Sequence, residues 1–308
     1  MTLTNSTPWL GSFTNSGTLI FTGNDGFGTN VALTATNVTL LAGGRITHAT
    51  NTTYSTNAAG VWVPSNRVWI VCLATNGIVD ADFKGYRGAT NTGFGYGPGL
   101  GGGDADTPPN FFRRGGGGGY GGKGGDTDKG SGRQFSGGAA YGASNAPVDP
   151  GSGGGAYDAN GGGAGGGAVR IEASGTATIL GAITSSGSNA PSWDGGGSGG
   201  SIWISCDTFS GSTNGLLRAR GGNSGPNPGT GGGGGGRIAV TYGAGQASNP
   251  GVRFDTSNGP GTSPGYPGEI GTVQFPHAGI LQQPLALGRL DQWLFNNVRL
   301  FIPGFTAW

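Results

Sequence analysis

Apolar and polar residues alternate in several short runs that line up with one another along the chain. RVWIVCLA from Arg67, AVRIEASG from Ala168, SIWISCDT from Ser201 and RIAVTY from Arg237 each place apolar residues at every second position. That is the period of a strand with one buried face. Laid over one another, Val68, Ile70 and Cys72 share columns with Val169, Ile171 and Ala173, with Ile202, Ile204 and Cys206, and with Ile238, Val240 and Tyr242. These columns are expected to face a core, and Trp69, Arg170, Trp203 and Ala239 to face outward. The step from Val169 to Ile202 is 33 residues and from Ile202 to Ile238 is 36, while Val68 lies 101 residues before Val169. A second aligned run turns Val79, Ile183 and Leu217 inward and Asp80, Thr184 and Arg218 outward. Repetition at such a period marks a stacked architecture, because one unit cannot bury its apolar face alone. The expected fold is all-β, a parallel β-solenoid with glycine-rich insertions.

The chain divides accordingly. Residues 1–84 read as N-terminal coils and a cap, with strand runs such as TLIFTG from Thr18 and VALTATNVTLLAGG from Val31. Residues 85–167 form a glycine-rich insertion that accounts for the long step, and residues 168–242 hold the regular coils. From 243 to 308 a proline- and glycine-rich covering loop or linker leads into an apolar end, LDQWLFNNVRLFIPGFTAW. A run this apolar is expected either to cap the stack within its own chain or to pair with a neighbouring subunit. Its candidate interface residues are Trp293, Phe295, Leu300, Phe301 and Trp308.

Composition alters the picture at one point. Glycine supplies 73 of 308 residues, without the strict triplet of collagen. Such sequence is ordinarily disordered, since ordering costs roughly 1–2 kcal/mol per residue. The tracts 101–103, 115–125, 151–155, 161–167, 195–200 and 231–236 therefore read either as flexible loops around a solenoid or as polyglycine II strands. In the second case they lie close enough to exchange backbone hydrogen bonds. Charged residues make up 10% and the net charge is +1, which excludes the strongly basic footprint of a nucleic-acid binder. No run reaches the ~20 apolar residues of a membrane helix. MTLTNSTPWL lacks the basic start and apolar run of a signal peptide, so export information is expected to have been removed, or the chain to leave its cell as virion proteins do. Cys72 and Cys206 share a column with the Ala173 rung between them, near 10 Å apart at a strand spacing of about 4.8 Å, and are expected to be buried free thiols.

GGGSGGSIWISCDTFSG from Gly195, LLRARGGN from Leu216, GGGGGGRIAV from Gly231, GYRGATNTGFGYGPG from Gly85 and GEIGTV from Gly268 together resemble the glycine-rich repeat region of large exported bacterial surface proteins. The resemblance covers roughly residues 67–275 and implies a surface or matrix component rather than an enzyme. A second resemblance is to phage tail-fibre adhesins with polyglycine II tips, which implies a virion surface.

Candidate chemistry is sparse. Asp80 and Asp82 share a strand face, as paired carboxylates do in some polysaccharide-cleaving enzymes, yet no histidine or lysine joins them in the aligned columns, and a surface charge ladder with Arg218 and Arg220 accounts for them. His48 and His277 lack metal-ligand spacing. The DAD and DTD pairs at Asp104, Asp106, Asp126 and Asp128 depart from the repeated calcium nonapeptide. No catalytic residue, metal or cofactor is expected. Trp69 and Trp203 on the outward face, and Tyr96 and Tyr120 in glycine loops, are the candidate binding residues, because aromatic faces stack on sugar rings and anchor interfaces; alternatively the tryptophans pack beneath the glycine tracts. The expected function is a non-enzymatic, extracellular or cell-surface protein that assembles with itself into a layer or filament. The alternative is an adhesin that holds glycans or a receptor.

Overall fold

A computed structural model describes residues 1–8, 10–22, 31–71, 74–75, 77–91, 93–102, 114–128, 135–157, 160–246, 250–281, 295–296 and 299–301. The strands before the long insertion are β1 (Thr2–Leu3), β2 (Leu10–Asn15), β3 (Thr18–Phe21), β4 (Ala32–Leu40), β5 (Arg45–His48), β6 (Val68–Val71), β7 (Ala74–Thr75) and β8 (Ile78–Asp80). After it come β9 (Ala168–Glu172), β10 (Thr176–Ile179), β11 (Ala182–Thr184), β12 (Ser201–Ser205), β13 (Thr208–Gly211), β14 (Leu216–Arg218), β15 (Arg237–Thr241) and β16 (Arg253–Asp255). The series ends with β17 (Thr272–Gln274), a 3-10 turn at Ala278–Leu281, β18 (Phe295–Asn296) and β19 (Arg299–Phe301).

All these strands pair in parallel. One sheet has eight strands in the order β1-β3-β5-β8-β11-β14-β16-β18. The other has eleven, in the order β13-β10-β7-β4-β6-β9-β12-β15-β17-β19 with β2 also paired to β4. The nine-residue β4 belongs to two ladders, its first residues pairing β6 and its last pairing β7. The passes β6–β7–β8, β9–β10–β11 and β12–β13–β14 each visit three strands before leaving the sheets, whereas in the next pass β15 is followed by β16.

The register matches the columns read from the sequence. Val68 pairs with Val169, Val169 with Ile202, Ile202 with Ile238 and Ile238 with Val273, and Ile183 pairs with both Val79 and Leu217. The described inward residues, including Tyr242 and Cys206, are buried in one apolar cluster. The cluster also takes in Ala177, Ile179 and Phe209 from the middle strands. TATI and TFSG are strands in their own right, although their alternation is too short to stand out beside the glycines. The Cys206 thiol is free and buried, and burial raises its pKa to about 11. Cys72 lies outside the described residues.

After β8, β11, β14 and β16 the chain makes a long excursion before β9, β12, β15 and β17 in turn, at 81–167, 185–200, 219–236 and 256–271. Within the stretch expected as a covering loop or linker, residues 253–255 form β16 and the residues after it begin an excursion. A three-residue strand among prolines and glycines carries too little pattern to be seen.

The glycine tracts in these excursions bond to one another with a regular cycle. Gly115, Gly116 and Gly117 donate their N–H groups to the carbonyls of Trp193, Gly102 and Gly125, three different neighbours. Gly118, Gly119 and Tyr120 then repeat the cycle on Gly196, Gly99 and Gly122. Gly231 and Gly234 likewise donate to Gly115 and Gly118, Gly232 and Gly235 to Tyr266 and Glu269, and Gly233 and Gly236 to Gly222 and Ala219, at 2.7–3.0 Å. A donor direction that returns every third residue is that of an extended helix with three residues per turn. Such strands approach this closely only without side chains, and an added Cβ at Gly117, Gly195 or Gly231 would sit inside contact distance of a neighbouring carbonyl oxygen. The tract 115–125, expected as one strand, is two: the chain reverses at Tyr120, and Gly117 bonds back to Gly125.

Candidate binding face on the outer side of the β9 ladder

In-register parallel strands stack equivalent side chains at about the thickness of a planar group. On the outer face of this ladder Trp69, Arg170 and Trp203 are successive register partners. The Arg170 guanidinium lies between the two indoles, 4.7 Å from the Trp69 ring and 4.5 Å from that of Trp203, so each aromatic face attracts the cation. Glu172, two residues on and on the same face, closes the group. Its Oε1 accepts from Arg170 Nη2 at 2.5 Å and its Oε2 from Trp69 Nε1 at 2.9 Å. Both tryptophans are half-buried. One face of each ring is taken by Arg170.

Beside this stack, residues 141–149 of the long excursion lie across the first positions of the ladder. Arg237 Nε donates to the Tyr141 carbonyl at 2.9 Å, and its guanidinium stands 5.5 Å from the Tyr120 ring. Tyr120 packs on Tyr141 with ring centres 4.8 Å apart and is fully buried. The expectation that Tyr120 decorates an exposed loop is thereby corrected: it marks the reversal of a glycine tract, and that reversal is packed against the sheet. Burial raises the pKa values of Tyr86, Tyr120 and Tyr141 and keeps their hydroxyls protonated. Asp149 approaches Arg67 at 3.7 Å; burial raises its carboxyl pKa, while Arg67 and Arg237 oppose the shift.

A cleft of about 180 Å³ remains where the excursion and the stack meet. Its walls are Arg67, Trp69, Val148, Ala168 and Arg170, with the backbone of neighbouring strand residues. Trp69 and Arg170 were legible as outward positions. Val148 and Asp149 carried no signal, because they lie in the long excursion, about 20 residues before β9 and about 80 after β6, where no periodic pattern places them against the ladder.

The other predicted residues fall elsewhere. Tyr96 sits in the long excursion, edge-on to Tyr54 with ring centres 5.5 Å apart, and Arg87 lies over the Tyr54 ring and donates to its hydroxyl at 2.8 Å. Phe295 belongs to β18, which pairs β16, and Leu300 pairs with Val273 and packs against the core. These strands extend the sheets of their own chain. Phe301, beside them, is exposed. Trp293 and Trp308 lie outside the described residues.

The charged candidates are occupied structurally. Asp80 pairs with Arg45 and accepts the Asp82 N–H at 2.8 Å, and Asp82 accepts the Ser186 N–H at 2.5 Å. Asp255 is nearly buried and meets Arg218, Arg220 and the Ser257 hydroxyl. Asp126 binds Lys123 and the Gly137 N–H, and Asp128 binds Arg114, while Asp104 and Asp106 lie outside the described residues. Among the described residues no cluster of three metal-ligating side chains occurs, and no helix is long and apolar enough to cross a membrane. Comparison with protein-family models, with curated proteins and with solved structures returns no match.

Proposed function

We propose that this chain is a non-enzymatic structural protein, a parallel β-solenoid whose excursions form a polyglycine II bundle, and that copies of it assemble outside the cell into a filament or surface layer. The observation that carries the reading is the uniform parallel, in-register pairing of every ladder, which gives the end of the stack the same bonding pattern as its interior. At the N-terminal end β2 pairs with β4 on one side, and among the described residues no strand pairs its other side. A contact between unlike ends propagates into a filament unless a rotation closes it. The glycine bundle suits such a role, since a core of peptide groups makes a stiff rod. The likeness to exported surface proteins agrees with this reading.

Negative-stain microscopy and light scattering of the full chain test it. Fibres or sheets are expected from the unaltered protein, and their loss from a Ser12→Lys, Thr14→Lys variant, whose charges lie on exposed positions of the β2 edge. A monodisperse monomer across the accessible concentration range sinks the proposal. The adhesin reading draws its support from the Tyr54 ring, 48% exposed beside Tyr96 and Arg87.

A further inference from the structure

We propose that the cleft between the Trp69–Arg170 stack and Val148 binds one carboxylate-bearing sugar unit, a uronate-type ring. This goes beyond assembly and does not depend on it. Three observations meet at the site. The first is size: a cavity of about 150 Å³ admits benzene, so about 180 Å³ accommodates a single six-membered ring. The second is the chemistry of the walls. The polar side chains lining the cleft are the Arg67 and Arg170 guanidiniums and the Trp69 indole, whose N–H is held by Glu172, and the carboxylates Asp149 and Glu172 are not among the lining residues. A lining of guanidiniums and an aromatic ring calls for a ligand with an acceptor group and a ring, and a planar guanidinium fork matches a carboxylate. The third is rigidity: Arg170 is held between two rings and by Glu172, so little side-chain entropy is lost when a ligand arrives. In the bound arrangement the carboxylate faces Arg67 and Arg170, and the sugar ring lies along Trp69 under Val148.

Methyl glucuronide is the probe and methyl glucoside its neutral control, with the Trp69 indole N–H resonance as the reporter. The glucuronide is expected to shift that resonance saturably, and the glucoside to bind at least about tenfold more weakly. Val148→Trp fills the cleft without removing a donor, and is expected to weaken glucuronide binding by about tenfold or more while the unfolding midpoint stays in place. If that variant fails to fold, Val148→Ala replaces it, and the widened cleft is expected to bind the same probe more weakly. No shift at tens of millimolar glucuronide, equal binding of the two sugars, or undiminished binding by the Val148 variants overturns the proposal. Each of these outcomes leaves the assembly experiment standing.

Discussion

At Gly117 a hydrogen atom is all that fits between one peptide strand and the next. A Cβ there would fall inside contact distance of the Gly232 carbonyl, whereas one at Gly175 would meet nothing within 4 Å. Gly117→Ala is accordingly expected to destabilise by about 3 kcal/mol or more, beyond ordinary overpacking because backbone cannot step aside. Gly175→Ala is expected to be neutral or to stabilise by up to about 1 kcal/mol. Denaturant unfolding of the two variants checks the contrast, and equal midpoints would contradict the close packing. His48 sets a second residue-scale expectation. Its ring is fully buried against the Gly167 backbone and Ala81, and Nδ1 lies 2.8 Å from the Ala49 carbonyl. Burial lowers its pKa to about 4, the Ala49 bond and Asp80 opposing, Lys84 and Arg67 assisting. The unfolded chain therefore binds a proton that the folded chain refuses between pH 6.5 and about 4. Stability should fall as pH drops through that window, by roughly 3 kcal/mol from this residue. His48→Gln should flatten the slope of stability against pH there, and an unchanged slope would show that the ring is charged or accessible.

At the scale of elements, the inward columns were legible because period-two alternation recurred in aligned runs, and Val68, Val169, Ile202 and Ile238 are register neighbours in fact. The bundle was half legible. Glycine runs announced the strands 195–200 and 231–236, but their partners 185–190 and 219–224 contain Ser, Asn and Ala and were not among the tracts that composition picked out. They fit because small polar side chains stand in for carbonyl acceptors: Ser188 Oγ receives the Ala164 N–H and Asn189 Oδ1 the Asn223 N–H, both at 2.8 Å. Hydrogen exchange separates a bonded bundle from flexible loops. The amides of Gly118, Gly196 and Gly233 are expected to be protected as strongly as that of Ile202 in β12. Exchange at unstructured rates would refute the bundle, whatever the sheets do.

At the scale of the whole molecule, the sequence was silent on which tract meets which. Gly231 donates to Gly115 and Gly118 to Gly196 across the chain, and a peptide group carries no code that distinguishes one glycine partner from another. For the same reason the cleft was hidden, since its wall at Val148 is placed by the path of the excursion and by no local pattern. These cross-links also separate the protein from a simple repeat array, in which each unit touches only its neighbours. The excursion at 81–167 bonds to those at 185–200, 219–236 and 256–271, so one loosened pass is held by the others. The three-way bonding of side-chain-free strands has a last consequence, for digestion. A protease needs a residue to grip and a stretch of chain to draw into its cleft, and the bonded glycine runs at 195–200 and 231–236 offer little of either.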